Sequence, residues 1–306
     1  MNILDTIGHT PLIFLDSVSA HLPAKIHVKY EARNPGGSIK DRAALGYIRA
    51  ALKEGKLAPG GTVVEATSGN LGIGLAVVCG KMGLKLMLTM PASASKERIA
   101  LLRAMGAEVV LTPAEEGMQG AQNKVDELLS TLPGAFRPDQ FSNPVGPLVH
   151  YATTGVEILE DCRREGFMPA AFVAGTGSGA TLMGVSRRLK DTDASIQSFA
   201  VEPAESPVLS EGRSGAHGIQ GIGANFVPAV FNRSLVDGIL TVSTEEAMDT
   251  ARMLMRDESL SCGITTGANV RAAMTLAMRP EFAGKHIVTV APDTGERYLP
   301  TPLFKD

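Results

Sequence analysis

At 306 residues the chain is long enough for two domains, each burying its own core. Apolar residues make up 44% and charged residues 20%, and a net charge of −3 provides no electrostatic footprint for nucleic acid, which leaves small-molecule chemistry as the class to pursue. Three cysteines, Cys79, Cys162 and Cys262, lie far apart without CxxC or CxxH spacing; this sets aside a disulfide framework and a zinc site, leaves no metal expected, and fits a reducing cytoplasm. The opening "MNILDTIGHT" lacks a basic segment followed by an apolar one, and the longest apolar run, residues 71 to 80, falls far short of the roughly 20 residues a membrane span needs.

Short apolar or β-branched runs alternate with helical patterns along the chain. "KIHVKYE" (25 to 31) precedes a helix over 41 to 56, "TVVEA" (62 to 66) one over 70 to 82, "KLMLTM" (85 to 90) one over 95 to 105, and "EVVL" (108 to 111) one over 117 to 131. Residues 137 to 151 carry three prolines and read as the crossing between two lobes, with a boundary near 145. The rhythm resumes with "AAFVAG" (170 to 175), a helix from about 179, "IQSFAVE" (196 to 202), "GILTVS" (238 to 243), a helix over 244 to 258 behind the capping box "STEE", another helix from 267, and "HIVTVA" (286 to 291). Strand followed by helix, repeated, predicts an α/β fold of mostly parallel sheets flanked by helices. Ligands in such folds sit at the carboxyl ends of the strands, so the strand-to-helix turns are the places to search.

Lys40 follows "NPGGSI" and opens a helix, where a cation meets the positive end of the macrodipole at a cost of a few tenths of a kcal/mol, roughly. Three further turns stand out. "EATSGNLG" (65 to 72) places Thr67, Ser68 and Asn70 around Gly69 and Gly72, more polar groups than one helix cap needs. "GTGSGAT" (175 to 181) makes a nest of backbone donors with Ser178 and Thr181 beside it, suited to a phosphate. Read as G-x-G-x-x-G/A, the same loop is also a dinucleotide fingerprint, with Glu202 at the place of a ribose-binding acid, which keeps a nicotinamide-dependent oxidoreductase open. Thr265 and Thr266 stand before Gly267 and a helix, where an N-cap is the plain reading. A nicotinamide enzyme gives no task to Lys40, the 67 to 72 loop or the threonines, whereas a pyridoxal phosphate enzyme uses all four features.

"IGHTPL" (7 to 12), "NPGGSIKDR" (34 to 42), "EATSGN" (65 to 70), "DQFSNP" (139 to 144), "GTGSGATL" (175 to 182), "GIQGIGA" (218 to 224) and "GERYL" (295 to 299) resemble, in order and over nearly the whole chain, the O-acetylserine sulfhydrylases, or cysteine synthases, with features of their β-cyanoalanine synthase relatives. These are fold-type II, tryptophan-synthase-β-like enzymes that use pyridoxal 5′-phosphate. The resemblance implies two domains, residues 1 to 145 smaller and mobile and residues 146 to 306 holding the cofactor phosphate, with about 13 to 33 packing on the second. It implies that Lys40 is the catalytic Schiff-base lysine, that Asn70 meets the cofactor's ring hydroxyl, that Gly177, Ser178, Gly179, Ala180 and Thr181 form the phosphate cup, and that Thr265 faces the ring nitrogen. Thr67, Ser68, Gly69, Leu71 and Gln140 are implied as the substrate-binding set. The activity it implies is replacement of the acyl group of O-acetyl-L-serine by sulfide, giving L-cysteine through an α-aminoacrylate. β-Cyanoalanine synthesis and cysteine desulfhydration are the neighbouring alternatives. A homodimer is implied, with the C-terminus of a serine acetyltransferase as a partner to consider. Leu71 departs from the family's threonine, Asn225 and Ala180 replace glycines, and Thr265 and Thr266 stand where serines are common.

Overall fold

The computed structural model describes residues 1–305. In chain order the elements are β1 (Leu12–Phe14), α1 (Asp16–Ser19), β2 (Lys25–Tyr30), α2 (Lys40–Lys53), β3 (Thr62–Ala66), α3 (Asn70–Met82), β4 (Lys85–Pro91), α4 (Lys96–Ala104), β5 (Glu108–Thr112) and α5 (Gly117–Thr131). They continue with α6 (Val145–Ala152), α7 (Thr154–Arg164), β6 (Pro169–Gly175), α8 (Ala180–Thr192), β7 (Gln197–Pro203), α9 (Val208–Glu211), β8 (Gly238–Val242), α10 (Thr244–Asp257), α11 (Ile264–Ala277) and β9 (His286–Ala291). The fold is α/β, built on mostly parallel sheets flanked by helices. The chain divides into two compact units, one formed by Met1–Ile7 with Asn34–Val145, the other by Gly8–Arg33 with the residues from Gly146 on.

The first unit holds a three-stranded parallel sheet in the order β3-β4-β5. Val63, Leu88 and Met90 of its strands are fully buried with Leu71, Leu75 and Val78 of α3 and Tyr47 and Ile48 of α2. α2 and α3 approach closely because residue 74 is glycine: a Cβ there would stand 3.0 Å from the Lys40 carbonyl oxygen. That contact sets the start of α2 against the body of α3.

The second unit holds a six-stranded sheet in the order β1-β2-β9-β6-β7-β8, parallel except for the β1–β2 pair. Its inner strands read as apolar runs because both faces are covered, with Ile26, Val28, Val173, Val201 and Ile287 buried. Buried charge ties β2 to α7: Lys29 Nζ lies 3.0 Å from Glu157 and 2.8 Å from Asp161. Ser243 caps α10 through a reciprocal box with Glu246, as "STEE" predicts.

Several boundaries differ from expectation. The span 137 to 151, read as a linker, ends in α6, and α7 follows without having been anticipated. Pro147 stands in the first turn of α6, where no backbone N–H is required, so it does not break the helix. α11 starts at Ile264 with Gly263 as its N-cap, so Thr265 and Thr266 lie inside the first turn and do not cap it. Gly267 looks like a helix boundary in the sequence, yet its role is packing: a Cβ there would meet the Ala247 carbonyl oxygen of α10 at 1.9 Å. Likewise α3 is capped by Gly69 with no side-chain bond, so Thr67, Ser68 and Asn70 do not perform that task.

Candidate active site

In the first unit, the turn ahead of α2 places Lys40. Gly37 adopts φ +72°, a left-handed conformation that favours glycine, and its N–H bonds the Asn34 carbonyl at 2.8 Å. The Gly36 N–H donates to the Asp41 carboxylate, which occupies the space a Cβ at residue 36 would need. α2 begins without a side-chain cap, and Lys40 is its first residue. The Lys40 Nζ donates to Gln140 Oε1 at 3.0 Å. The residue is half-buried, but protein atoms crowd water from its amine, and this desolvation lowers its pKa from 10.5 to about 8.

The 67 to 72 turn leaves the carboxyl end of β3. Thr67 is buried, its Oγ1 accepts from the Gly69 N–H at 3.1 Å, and its own N–H bonds the Thr89 carbonyl of β4. Ser68 and Asn70 are half-buried, and the Ser68 carbonyl accepts from Arg98 of α4 at 3.3 Å. Leu71 is 2% exposed and packs in the core of this unit, so it contributes no polar side-chain atom to the turn. Gln140 follows Asp139, whose φ of +49° turns the chain sharply. The structure thus brings Lys40 and Gln140 into contact and fixes the Thr67–Asn70 turn at the end of the neighbouring strand.

In the second unit, the glycine loop joins β6 to α8. A Cβ on Gly177 would stand 2.3 Å from the Gly221 carbonyl oxygen, and Gly179, which adopts φ +82°, is the N-cap of α8 and lends it no side chain, while the Ala180 N–H donates to Ser178 Oγ at 3.5 Å. Ala180 and Ser178 are buried and Thr181 half-buried, with the Thr181 hydroxyl 3.4 Å from His150 Nε2. The buried Thr176 hydroxyl has no hydrogen-bond partner. A glycine-capped helix N-terminus, a concave turn that side chains would fill, and an orphaned hydroxyl beside it fit a phosphate. The cradle is tied to Thr265: its Oγ1 donates to the Gln220 carbonyl at 2.7 Å and would lie 2.9 Å from a Cβ on Gly221. Toward any third group the hydroxyl offers lone pairs in this arrangement, and it must rotate to donate.

Glu202, the acid the dinucleotide reading required, is unavailable for a ribose. Its two oxygens accept from the Leu209 and Ser210 amides and from the Ser210 hydroxyl at 2.5–3.1 Å, which organises α9.

Sequence reading missed two residues. Asn269 of α11 receives the Gly175 N–H at 2.7 Å and donates to the Val290 carbonyl at 2.8 Å, anchoring the start of the glycine loop. Glu65 is a buried carboxylate at the end of β3; the signal was a charge in the otherwise apolar strand "TVVEA".

A family model described as pyridoxal-phosphate dependent enzyme matches residues 3–293. The chain belongs to that family. Among its relatives is a cysteine synthase from Staphylococcus aureus, 48% identical over 303 residues, which cover 99% of this chain and 96% of that protein. A crystal structure of cysteine synthase from Entamoeba histolytica superposes with a TM-score of 0.95 at 39% identity, covering 100% of this chain and 90% of that one. A hydrogen sulfide-producing enzyme from Fusobacterium nucleatum gives 0.91 at 41% identity, covering 97% and 99%. As a member of the family the chain is an enzyme that uses pyridoxal phosphate. Among the described residues no helix is long and apolar enough to cross a membrane.

Proposed function

We propose that this enzyme replaces the acetoxy group of O-acetyl-L-serine by sulfide, releasing acetate and forming L-cysteine. The observation that carries this reading is Lys40, an amine held by Gln140 with its pKa lowered to about 8. Bound pyridoxal phosphate supplies an aldehyde for that amine and a ring that stabilises negative charge developing at the substrate α-carbon. The glycine cradle from Gly177 to Thr181 would hold the phosphate through backbone N–H groups and the α8 N-terminus. Asn70 would meet the ring hydroxyl and Thr265 the ring nitrogen. Thr265 carries no charge to hold that nitrogen as a cation, and once rotated away from the Gln220 carbonyl its hydroxyl would donate to the neutral nitrogen, which would favour prompt loss of a β-leaving group. Lys40 Nζ, when free as a neutral amine, would take the substrate α-proton; its lowered pKa makes it a competent base near neutral pH.

Thr67, Ser68, Gly69 and Gln140 receive the substrate carboxylate, with Leu71 lending only its backbone. The test is direct: holoenzyme with O-acetyl-L-serine and sulfide is expected to form L-cysteine, and no product with the cofactor bound overturns the proposal. The missing hydroxyl at Leu71 favours a second reading with other partners, cyanide plus cysteine or water plus cysteine. Relative turnover of these pairs on one preparation separates the two. In the same reading the unit that includes Asn34–Val145 is the smaller, mobile domain, the enzyme works in the cytoplasm as a homodimer, and the C-terminal peptide of a serine acetyltransferase competes with O-acetyl-L-serine. Sedimentation and peptide competition test the last two.

A further inference from the structure

β3 does not end at its paired neighbour β4. On its other side the segment at Phe136 runs parallel to it: the Phe136 N–H bonds the Thr62 carbonyl and the Val64 N–H bonds the Phe136 carbonyl, both at 2.9 Å. A parallel ladder would next use residue 138 as donor to residue 64 and acceptor from residue 66. Residue 138 is proline and has no N–H, and its carbonyl accepts instead from Asn143 Nδ2 at 2.8 Å. The ladder therefore stops two residues short of Gln140.

Glu65 takes over where it stops. The residue is 3% exposed, and its two oxygens face different loops. Oε1 accepts the Ala66 N–H at 2.9 Å, at the start of the 66 to 70 turn, and Oε2 accepts the Asp139 N–H at 2.9 Å, at the left-handed residue that aims Gln140. Burial raises its pKa from 4.5 to about 7, against the pull of the Ala66 amide, Arg137 and the Asp139 amide. An acid kept so far from water, in a strand where an apolar residue would pack at less cost, calls for a reason beyond stability.

We propose that Glu65 is a positioning residue, whose carboxylate stands in for the missing main-chain ladder and locks the Asp139–Gln140 turn to the Thr67–Asn70 turn, so that Gln140 and the Thr67–Gly69 donors form one rigid clamp for the substrate carboxylate. The proposal rests on the assignment of those residues to that carboxylate. Loss of the lock lets Gln140 drift while leaving the glycine cradle of the second unit intact.

The experiment uses holoenzyme and two probes, L-serine and its decarboxylated counterpart ethanolamine, each titrated by the change in cofactor absorbance. Glu65→Gln places an NH2 against one of two N–H donors, and Glu65→Asp keeps the charge but shortens the reach by one methylene. Each variant is expected to weaken L-serine by about tenfold, the scale of one hydrogen bond to a charged group, with ethanolamine unchanged. Gln140→Ala is expected to show the same selective loss, and Glu65→Gln with Gln140→Ala no more than the single Gln140 change, because one residue acts through the other. Amide hydrogen exchange at residues 139–143 of the cofactor-free protein is expected to quicken in both Glu65 variants. Selective loss in Gln140→Ala but not in the Glu65 variants, or equal weakening of both probes, overturns the positioning role alone. No selective loss in Gln140→Ala overturns the carboxylate assignment, and the positioning role with it.

Discussion

Lys40 meets two unfavourable fields when charged: the positive end of α2 and a desolvated setting. Both favour the neutral amine, which is the nucleophile toward an aldehyde. The rate at which cofactor-free protein captures pyridoxal phosphate is accordingly expected to rise with pH to half-maximum near 8, and a midpoint near the ordinary lysine value of 10.5 contradicts the assignment. The same burial has a stability consequence of fixed sign. With the folded pKa depressed, the folded state binds fewer protons than the unfolded chain between pH 8 and 10.5, so the penalty is complete below pH 8 and is relieved as pH rises through that window. Lys40→Met should therefore stabilise the cofactor-free protein at pH 7, by roughly 1 kcal/mol because the half-buried residue is partly screened. Thermal unfolding measures it, and an unchanged or lowered Tm contradicts it. The odd place of this residue, a cation opening a helix behind "NPGGSI", was legible in the sequence; its contact with Gln140, a hundred residues on, was not, because no local pattern records a long-range pair.

At the scale of elements, the glycines divide into those needed for φ and those needed for approach. Gly179 has its nearest foreign atom at 3.6 Å, so Gly179→Ala carries mainly left-handed strain of about 1–2 kcal/mol. Gly177 has no unusual φ, but its Cβ would lie 2.3 Å from the Gly221 carbonyl, main chain that must shift as a whole. Gly177→Ala is expected to destabilise by about 1–3 kcal/mol and, because Gly221 in turn packs on Thr265, to lower cofactor affinity at least tenfold, as read by denaturant unfolding and absorbance titration. Retained affinity with full stability would contradict the cradle. The sequence disclosed the strand and helix rhythm because β3, β4, β6, β7 and β9 are covered on both faces and so appear as largely apolar runs. It misled at Gly267 and Pro147 for one reason: both residues usually end helices, while here one serves the α10–α11 contact and the other sits in a first turn. Glu65 escaped because its role follows from Pro138, and only the paired main chain connects the two.

The two units answer acid in opposite directions. In the first, Glu65 has its pKa raised to about 7, so between pH 7 and its unfolded value of 4.5 the folded state binds more protons and gains stability as pH falls. In the second, His27 is buried among Phe14, Phe167 and His286, its Nε2 2.8 Å from His286 Nδ1, and burial, His286 and Lys25 lower its pKa to about 4. His286 is shifted the same way. Between pH 6.5 and 4 the unfolded chain binds the extra protons, and stability is lost as pH falls. Glu258 of the second unit, raised by burial, works against that loss, so single replacements are needed to isolate each contribution. His27→Phe, which the surrounding rings accommodate, is expected to remove up to about 2 kcal/mol of the acid loss between pH 7 and 5 and to slow amide exchange in β2 and β9 at pH 5. Glu65→Gln is expected to flatten the opposing gain, read as exchange in β3 and β4 that no longer slows on acidification. The wild-type protein should then show a broad, shallow stability maximum on the mildly acidic side, where the two slopes offset one another. A His27→Phe protein with the wild-type pH profile would show that the histidine pair is solvated in solution, and would remove the second unit's contribution to that balance.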